Sequence, residues 1–344
     1  MKIAVIGLGR MGQNHTRVLK EMEGVELQAV CDQNGEAVAA VSSRFGVKGY
    51  ESWREMLERE KLDAAIVAVP TRGHLEVGLG ALAHGLDVLV EKPIATNLSE
   101  GHALVEAARS GKRRLAVGHV ERFNPAVREL RRRMDAGDIG RVFQVHGQRQ
   151  GPFPDRIRDV GVVIDLATHD LDVMRTVLGC EVERLHAETE QRIHTEHEDM
   201  LNALLRFENG VVGVLQVNWL TPTKIRRLSV LGEGGMLHVD YLKQELTHYK
   251  NADAAAMDGA RHLGGVSEGE VVQHTIAKGE PLRLELESFL RAVRGEGEIE
   301  VDGEDGLRAL HLAQALVTSG QEGRTLGREE LGALWTSSAR SAAG

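Results

Sequence analysis

The chain has 344 residues, which is long for a single hydrophobic core, so two domains are expected. With 27% charged and 42% hydrophobic residues its composition is globular rather than disordered, and its net charge of −9 argues against nucleic-acid or anionic-membrane partners. No apolar stretch is long enough to span a membrane, the N-terminus leaves no room for a signal peptide, and the two cysteines suit a reducing compartment. We therefore expect a cytoplasmic protein.

The first third of the chain alternates between strand and helix patterns. Strands that alternate with helices predict a parallel sheet with right-handed crossovers, which is an α/β fold of the Rossmann type. Ligands bind such sheets at the carboxyl ends of the strands, so the residues that follow each strand are candidate site residues. The apolar runs that predict the strands are 3–6, 25–31, 64–69, 86–90 and 115–117.

The first predicted strand runs directly into a glycine-rich loop, G-x-G-x-x-G, formed by Gly7, Gly9 and Gly12 with Arg10 and Met11 between them. The first glycine of this pattern permits a tight turn, the second lets backbone N–H groups approach a pyrophosphate, and the third lets the next helix pack closely. The pyrophosphate then lies at the positive end of that helix. We therefore predict a dinucleotide-binding domain at residues 1–121.

Asp32 follows the second predicted strand, at the distance downstream that is typical of an acid that binds ribose. A carboxylate there accepts hydrogen bonds from the ribose hydroxyls and repels a 2′-phosphate. The next residues, Gln33 and Asn34, supply no cation for such a phosphate. The cofactor predicted from these residues is NAD rather than NADP.

After about residue 120 the pattern changes to long alternating segments, which predict an α+β domain with a large, mostly antiparallel sheet. A helix is expected from Pro125, and Asn209-Gly210 is typical of a hairpin turn. Helices on one face of the sheet would leave the other face for a second subunit, so we expect a homo-oligomer, a dimer or a tetramer. The predicted elements of this domain are a strand at 141–150, a helix at 161–178, and strands at 181–192, 199–208, 211–219, 225–231 and 236–241.

The last part of the chain has helical patterns near 282–294 and 305–319. The stretch 251–270 has no clear periodicity and is interpreted as a loop over the sheet. We place the second domain at residues 122–330 and a loose C-terminal tail at 331–344.

Two segments carry candidate catalytic side chains. Lys92 lies at the end of the predicted strand at 86–90, before Pro93, which could hold a cis peptide; the alternative is an ordinary surface lysine. Asp165 and His169 lie four residues apart on a predicted helix, so the carboxylate can orient the imidazole and raise its basicity; the alternative is a surface pair. The nearby Asp170 and Asp172 are expected to face solvent.

The chain resembles the Gfo/Idh/MocA oxidoreductase family over nearly its whole length. The features that carry the resemblance are the glycine loop, the acid after the second strand, Glu-Lys-Pro after the strand at 86–90, and D-x-x-x-H on a later helix. The resemblance implies a Rossmann domain and a C-terminal sheet domain with the active site between them, and Lys92, Asp165 and His169 as the catalytic set of an NAD(P)-dependent oxidoreductase acting on CH–OH groups. It also places further residues against the cofactor; the alternative for His74 is a helix cap. These residues are Val69, Pro70, Thr71, His74, Glu91 and Lys92.

Three segments, 118–125, 151–159 and 218–224, resemble one branch of that family, the UDP-N-acetylglucosamine 3-dehydrogenases. The resemblance implies oxidation of the 3-hydroxyl of a nucleotide sugar, whose diphosphate needs cations. Trp219 could stack on a sugar or uracil ring or be a core residue, and the arginines could be solvated. The candidate substrate-binding residues are Arg122, Asn124, Arg156, Arg158, Trp219, Lys224 and Arg226.

Other functions remain compatible with the same residues. A dehydrogenase of an inositol or another free polyol keeps the fold and changes the substrate, and a glycosidase that recycles bound NAD is a further enzyme class. A cofactor-sensing regulator is expected to lack the catalytic residues, whereas all three are present here. The segment 194–199 is dense in His and Glu but has no H-E-x-x-H pattern, and we predict no metal site.

Overall fold

A computed structural model describes the backbone at residues 1–154, 160–194, 196–252 and 268–342, and the side chains as far as Trp335. The residues group into two units. Met1–Val120, Glu280–His311 and the residues from Ala333 onward form the first unit, and Glu121–Gly279 with Leu312–Gly332 form the second.

The first unit contains a six-stranded sheet with the strand order β3-β2-β1-β4-β5-β6, in which all neighbours are parallel. The five predicted strands are confirmed. The sequence analysis missed β3, because its three residues include no apolar run. The strands are β1 (Lys2–Ile6), β2 (Glu26–Cys31), β3 (Lys48–Tyr50), β4 (Ala64–Val67), β5 (Asp87–Glu91) and β6 (Leu115–Gly118).

Helices connect these strands, as the alternating pattern predicts. Asn34 and Asn97 begin two of them, because each side chain accepts hydrogen bonds from N–H groups of the first turn. The helices are α1 (Arg10–Glu21), α2 (Gly35–Phe45), α3 (Trp53–Arg59), α4 (His74–Ala83) and α5 (Leu98–Ser110).

The second unit contains an eight-stranded sheet with the order β14-β13-β12-β11-β7-β10-β9-β8, in which only β7 and β10 are parallel neighbours. The predicted mostly antiparallel sheet is therefore confirmed. Its strands are β7 (Val142–Pro152), β8 (Val182–Glu190), β9 (Met200–Phe207), β10 (Val212–Asn218), β11 (Leu220–Gly232), β12 (Gly235–Asp240), β13 (Glu245–Asn251) and β14 (Glu268–His274).

Two helices of this unit contribute to a core formed with one face of the sheet. They are α6 (Pro125–Asp135), which starts at Pro125 as predicted, and α7 (Thr168–Leu178). Buried Leu130 on α6 and Leu171 on α7 belong to the same apolar cluster as Phe207 and Leu215 of the sheet. Alternation along each strand thus gives an inner face that is apolar and an outer face that is partly exposed.

The segment that follows the large sheet differs from its predicted assignment. The helices are α8 (Pro281–Val293), α9 (Gly303–Glu322) and α10 (Arg328–Ala342). Leu286 and Phe289 of α8 join the core of the parallel sheet, and the Val117 N–H donates to the Val301 carbonyl at 3.0 Å. Residues 280–311 therefore belong to the first unit, whereas the predicted second domain ran from 122 to 330. The two differ because the periodicity of a helix reveals its apolar face but not which sheet covers that face.

Two further predictions need correction. The stretch after residue 331 was expected to be a loose tail, but its backbone is helical as far as Ala342. Within the predicted loop at 251–270, Asn251 ends β13 and residues from Glu268 belong to β14, while 253–267 lie outside the described residues. None of the described helices combines the length and apolar character that crossing a bilayer requires.

Candidate active site

The glycine loop between β1 and α1 has the shape that a bound diphosphate needs. A Cβ at Gly7, where φ is +96°, would lie 2.5 Å from the backbone of Ala68, and a Cβ at Gly12 would lie 1.8 Å from the Gly7 oxygen. A Cβ at Gly9 would meet no atom of the described residues within 4 Å, so this glycine borders open space. Among the described residues no side chain caps the start of α1, which leaves its first N–H groups available to an anion.

Asp32 lies directly beside this loop. Its carboxylate accepts hydrogen bonds from the Leu8 N–H at 2.6 Å and the Asn34 N–H at 2.9 Å. A carboxylate offers about four acceptor positions, so both oxygens keep capacity for ribose hydroxyls. The loop, the helix start and the acid together fit a dinucleotide.

His74 supports the backbone next to this site. It is buried at the start of α4, with Nδ1 2.9 Å from the Pro93 oxygen and Nε2 3.0 Å from the Val69 oxygen. Burial lowers the pKa of His74, so the ring is neutral and donates to one of the two carbonyls. His74 thus connects the segment after β4, where Thr71 begins a short 3₁₀ turn, with the segment after β5.

Glu91 and Lys92 lie where β5 ends. The Lys92–Pro93 peptide is cis, the geometry proposed from the sequence. The Glu91 carboxylate lies 2.7 Å from Nε2 of His15 on α1 and accepts from the Lys92 N–H at 3.2 Å. Burial alone would raise the pKa of Glu91, but the His15 hydrogen bond and the charges of His15 and Lys92 outweigh it and lower that pKa. Glu91 is therefore an ionised acid whose hydrogen bonds are made to protein groups.

A second buried acid, Glu285 on α8, was not singled out from the sequence. Neither of its carboxyl oxygens has a hydrogen-bond partner among the described residues. Burial, together with the nearby charge of Glu91, raises the pKa of Glu285 well above its usual value. The carboxyl group is therefore favoured in its neutral form.

Glu285 should make the protein less stable as the pH rises. The pKa of Glu285 is higher in the folded state than in the unfolded state, where it is about 4.3. Its contribution to the free energy of unfolding is therefore fully present below that unfolded-state pKa and is lost as the pH rises through the folded-state pKa. We expect Glu285→Gln to flatten the fall of Tm between about pH 5 and 8 and to raise Tm at the alkaline end. Thermal unfolding across that pH range measures the change in Tm, and Glu296→Gln, at an exposed position, is the control. If Tm fell with pH as steeply in Glu285→Gln as in the wild type, the raised pKa of Glu285 would be contradicted.

Asp165 and His169 lie in consecutive turns at the start of the helical segment of the second unit. Asp165 belongs to a π-helical turn, Val163–Ala167, which leads into α7, and both side chains are half-buried. Single π turns occur often at functional sites. The predicted helix at 161–178 is thus confirmed with a local widening at Asp165.

Glu198 holds the start of this segment, and sequence reasoning missed it. Its carboxylate accepts from the Val163 N–H at 3.1 Å, and its carbonyl oxygen accepts from the Val162 N–H at 2.9 Å. A Cβ at Gly161 would lie 2.0 Å from the Glu198 carboxylate, so the glycine makes room for it. The signal was present in the acid-rich 194–199 segment, where Thr195 lies outside the described residues.

Asp170 and Asp172 are completely buried, so the expectation that they face solvent is wrong. Asp170 accepts from Nε of Arg149 at 2.6 Å, and Arg149 also donates to Glu121 at 2.8 Å. Burial opposes the Arg149 charge, but Asp170 and Glu121 outweigh it and raise the pKa of Arg149. Helix periodicity could not reveal this, because the arginine comes from a strand distant in sequence.

Two candidate substrate-binding residues have structural partners, and their contact with a substrate stays a prediction. Arg122 forms an ion pair with Asp172, with Nε 2.6 Å from the carboxylate. Asn124 is buried and caps α6 by accepting from the Ala126 N–H at 3.1 Å, while its amide donates to the Tyr241 carbonyl. Their polar groups thus serve the fold.

Trp219 is 3% exposed and occupies a core position. Its ring packs edge-on against Phe153 and stacks on His194. The core interpretation, which the sequence left open, is therefore the one the structure supports for this residue.

The remaining candidate cations within the described residues, Lys224 and Arg226, lie on β11. A Cβ at Gly151 would lie 3.7 Å from Cγ of Lys224 and 4.0 Å from Nη2 of Arg226, so both side chains pass the same glycine. Lys224 is exposed, whereas Arg226 is half-buried and donates to the Gln150 carbonyl at 2.6 Å. Burial and the charge of Arg149 lower the pKa of Arg226 to about 10, against the opposing charges of Asp170, Glu121 and Asp165. Arg156 and Arg158 lie outside the described residues.

Comparisons with known proteins agree with this architecture. The family "Oxidoreductase family, NAD-binding Rossmann fold" matches residues 1–119, and the GFO/IDH/MocA C-terminal domain matches residues 127–238. The chain is 30% identical, over 91% of its length and 95% of the relative's, to UDP-N-acetylglucosamine 3-dehydrogenase of Acidithiobacillus ferrooxidans. It is 28% identical, over 96% of its length and 99% of the relative's, to myo-inositol 2-dehydrogenase of Thermotoga maritima.

A solved structure extends the similarity to a ligand complex. The WlbA dehydrogenase of Bordetella pertussis, in complex with NADH and UDP-GlcNAcA, superposes with a TM-score of 0.78 at 25% identity, covering 95% of this chain and 98% of that one. The two sheets and the glycine loop agree with these matches, which cover both structural units. The chain is therefore a member of the Gfo/Idh/MocA family of oxidoreductases.

Proposed function

We propose that this chain oxidises the 3-hydroxyl of UDP-N-acetylglucosamine, or of a closely related nucleotide sugar, to the 3-keto sugar. The similarity to the Acidithiobacillus enzyme over 91% of the chain supports the substrate class. The observation on this molecule that carries the proposal is that two basic side chains, those of Lys224 and Arg226, both pass Gly151, Lys224 with its Cγ and Arg226 with its Nη2. Two basic side chains that start from one stretch of β11 suit a diphosphate, whereas an uncharged polyol needs neither.

The candidate catalytic side chains divide the reaction between them. His169 removes the proton from the sugar hydroxyl, and Asp165, one turn earlier, stabilises the resulting imidazolium. Lys92 donates a hydrogen bond to the same oxygen as negative charge develops on it. When bound, NAD would supply the acceptor for the hydride that leaves the carbon being oxidised.

The cofactor in this proposal is NAD. The glycine loop and the start of α1 would hold its diphosphate, with Arg10 and Met11 in the first turn. Asp32 would bind the ribose hydroxyls and repel the 2′-phosphate of NADP. Val69, Pro70 and Thr71 remain proposed contacts of the nicotinamide half.

A substrate panel tests the function. UDP-N-acetylglucosamine, UDP-GlcNAcA, myo-inositol and scyllo-inositol would each be incubated with NAD and, in parallel, with NADP, while NADH or NADPH absorbance is followed. Reduction of NAD with a UDP-sugar alone supports the proposal. Reduction with an inositol alone overturns the substrate and establishes the second candidate, a polyol dehydrogenase, which the similarity to the Thermotoga enzyme favours.

Lys224 provides a sharper test of the diphosphate site. We expect Lys224→Ala to raise KM for the nucleotide sugar by about tenfold or more with little change in kcat, because a charged hydrogen bond is lost in ground state and transition state alike. Arg227→Ala is the matched control, since Arg227 is an exposed cation on the same strand, next to Arg226 in sequence. Steady-state kinetics of both variants measure the effect; equal KM values would place the diphosphate elsewhere.

We also propose that the protein forms a homo-oligomer through the outer face of the large sheet. Leu204, Leu231, Tyr249 and Val271 expose 57%, 40%, 42% and 60% of their surface there, and exposed apolar patches of this kind mark interfaces. Sedimentation velocity should show a dimer or tetramer, and a monomer at micromolar concentration would refute the proposed oligomer.

Cys31 and Cys180 are both free thiols, which supports the proposed cytoplasmic location.

A further inference from the structure

A cluster of three side chains lies on the second unit, apart from the residues assigned to the proposed reaction. Asp138, His248 and His274 each offer one potential ligand atom, and these three atoms all lie within 4.8 Å of one another. More than 100 residues of sequence separate Asp138 from His248, so no local spacing of residues predicts the cluster.

The sheet register brings the two histidines together. In the antiparallel pair of β13 and β14, His248 lies opposite Val272 and His274 lies opposite Leu246. The histidines are therefore diagonal neighbours on one face of the pair, within reach of each other's side chains. This is the inner face, since Leu246 and His248 are both buried there.

The end of α6 supplies the carboxylate. Beyond the helix, Gly137 has a positive φ of 82°, and the Asp138 N–H returns to the Arg133 carbonyl at 3.1 Å. This turn ends the helix in the manner of a glycine cap and fixes the position of Asp138. One oxygen of Asp138 accepts from Arg133 at 3.2 Å, and the other remains for a further partner.

Each of the two imidazoles has one buried ring nitrogen that makes no hydrogen bond to the described residues. Nε2 of His248 and Nε2 of His274 are inaccessible to solvent and have no hydrogen-bond partner among the described residues, and His248 is only 3% exposed. Buried polar side-chain atoms in folded proteins nearly always have a partner. Two such atoms in one cluster with a carboxylate point to a ligand.

The charge state of the cluster suits a cation. Asp138 would contribute a negative charge to a bound ion, and the imidazoles of His248 and His274 would contribute neutral nitrogen ligands. The other charged groups that act on the histidines are Arg133, Lys250 and Glu129. Glu129 accepts from Arg133 at 2.8 Å and offsets its positive charge.

We propose that Asp138, His248 and His274 form a binding site for a divalent transition-metal ion, with Zn²⁺ as the expected ion. Two imidazoles and one carboxylate match the ligands of Zn²⁺, whereas Mg²⁺ and Ca²⁺ prefer oxygen ligands throughout. Three protein ligands leave a further position for water. The ion ties the end of α6 to β13 and β14, and so it stabilises this edge of the sheet.

Metal titration of the full-length, chelator-treated protein tests the site, with Zn²⁺ followed by calorimetry and Co²⁺ by its visible absorption. We expect one ion per chain at this site and a rise in Tm of roughly 5 °C at about 100 times Kd. His248→Gln and His274→Gln should each weaken binding by about 100-fold or more, since even loss of a group behind the ligands costs 10–100-fold. His238→Gln is the matched control, because that histidine lies on β12 and bonds to Ser229 instead.

Two results would overturn the site: no Zn²⁺ binding by the wild type, or binding that keeps its affinity in both His248→Gln and His274→Gln. Circular dichroism establishes that each variant is folded. Should buried His248→Gln fail to fold, half-buried His274→Gln and Asp138→Asn carry the same comparison. Both readouts are independent of dehydrogenase turnover, so they stand whether or not the proposed substrate is correct.

Discussion

Replacing His169 with Ala is expected to lower kcat by about 10²–10⁴-fold while NAD still binds. A positioned acid–base group contributes a rate factor of that size, because it takes up the proton as the hydroxyl carbon is oxidised. The glycine loop and Asp32, which are proposed to bind the cofactor, lie in the other structural unit and are untouched by the substitution. Single-turnover kinetics and a separate titration of NAD measure the two effects.

A matched control keeps the His169 result specific. His186→Ala removes a half-exposed histidine from β8 in the same unit, and its turnover should stay close to that of the wild type. Wild-type turnover in His169→Ala would remove this residue from the mechanism. Loss of NAD binding together with turnover would show instead that the substitution disturbs the fold.

Replacing Arg149 with Met is expected to destabilise the protein by about 3–5 kcal/mol. The substitution leaves Asp170, which is fully buried, as a carboxylate without its cation, and removing one partner of a buried pair costs about this much. Glu121 loses a hydrogen bond of 2.8 Å at the same time. Urea unfolding at neutral pH measures the change in the free energy of unfolding.

Two comparisons test whether the unpaired, buried charge of Asp170 causes the loss of stability. Arg227→Met, on the neighbouring strand but exposed, should change stability by no more than about 0.5 kcal/mol. Adding Asp170→Asn to Arg149→Met should restore part of the loss. The deficit of Arg149→Met should also shrink as the pH falls, because an unpaired buried Asp170 has a raised pKa and protonation neutralises it; a deficit that persists unchanged at acidic pH would contradict this explanation.

Much of the nucleotide site could be predicted from the sequence because its determinants are local. The tight turn at Gly7 and the close approach at Gly12 depend on a strand, a loop and a helix that are consecutive in the chain. The predicted cis bond before Pro93 also depends on adjacent residues. Glu285 could not be predicted as a supporting residue, because its role comes from what packs around it. The acid-rich 194–199 segment drew attention to Glu198, but its role at Val162 and Val163 depends on the fold.

The sequence by itself determined the two sheets, the glycine loop and the placement of Asp165 and His169 on one helical segment, since periodicity and turn chemistry act over a few residues. The tertiary structure alone decided that α8 packs with the parallel sheet, and that Asp170 and Asp172 are buried ion-pair partners. It alone brought His248 and His274 to Asp138. The physical reason is that burial and charge pairing depend on which distant segments meet, and no local pattern of residues records that meeting.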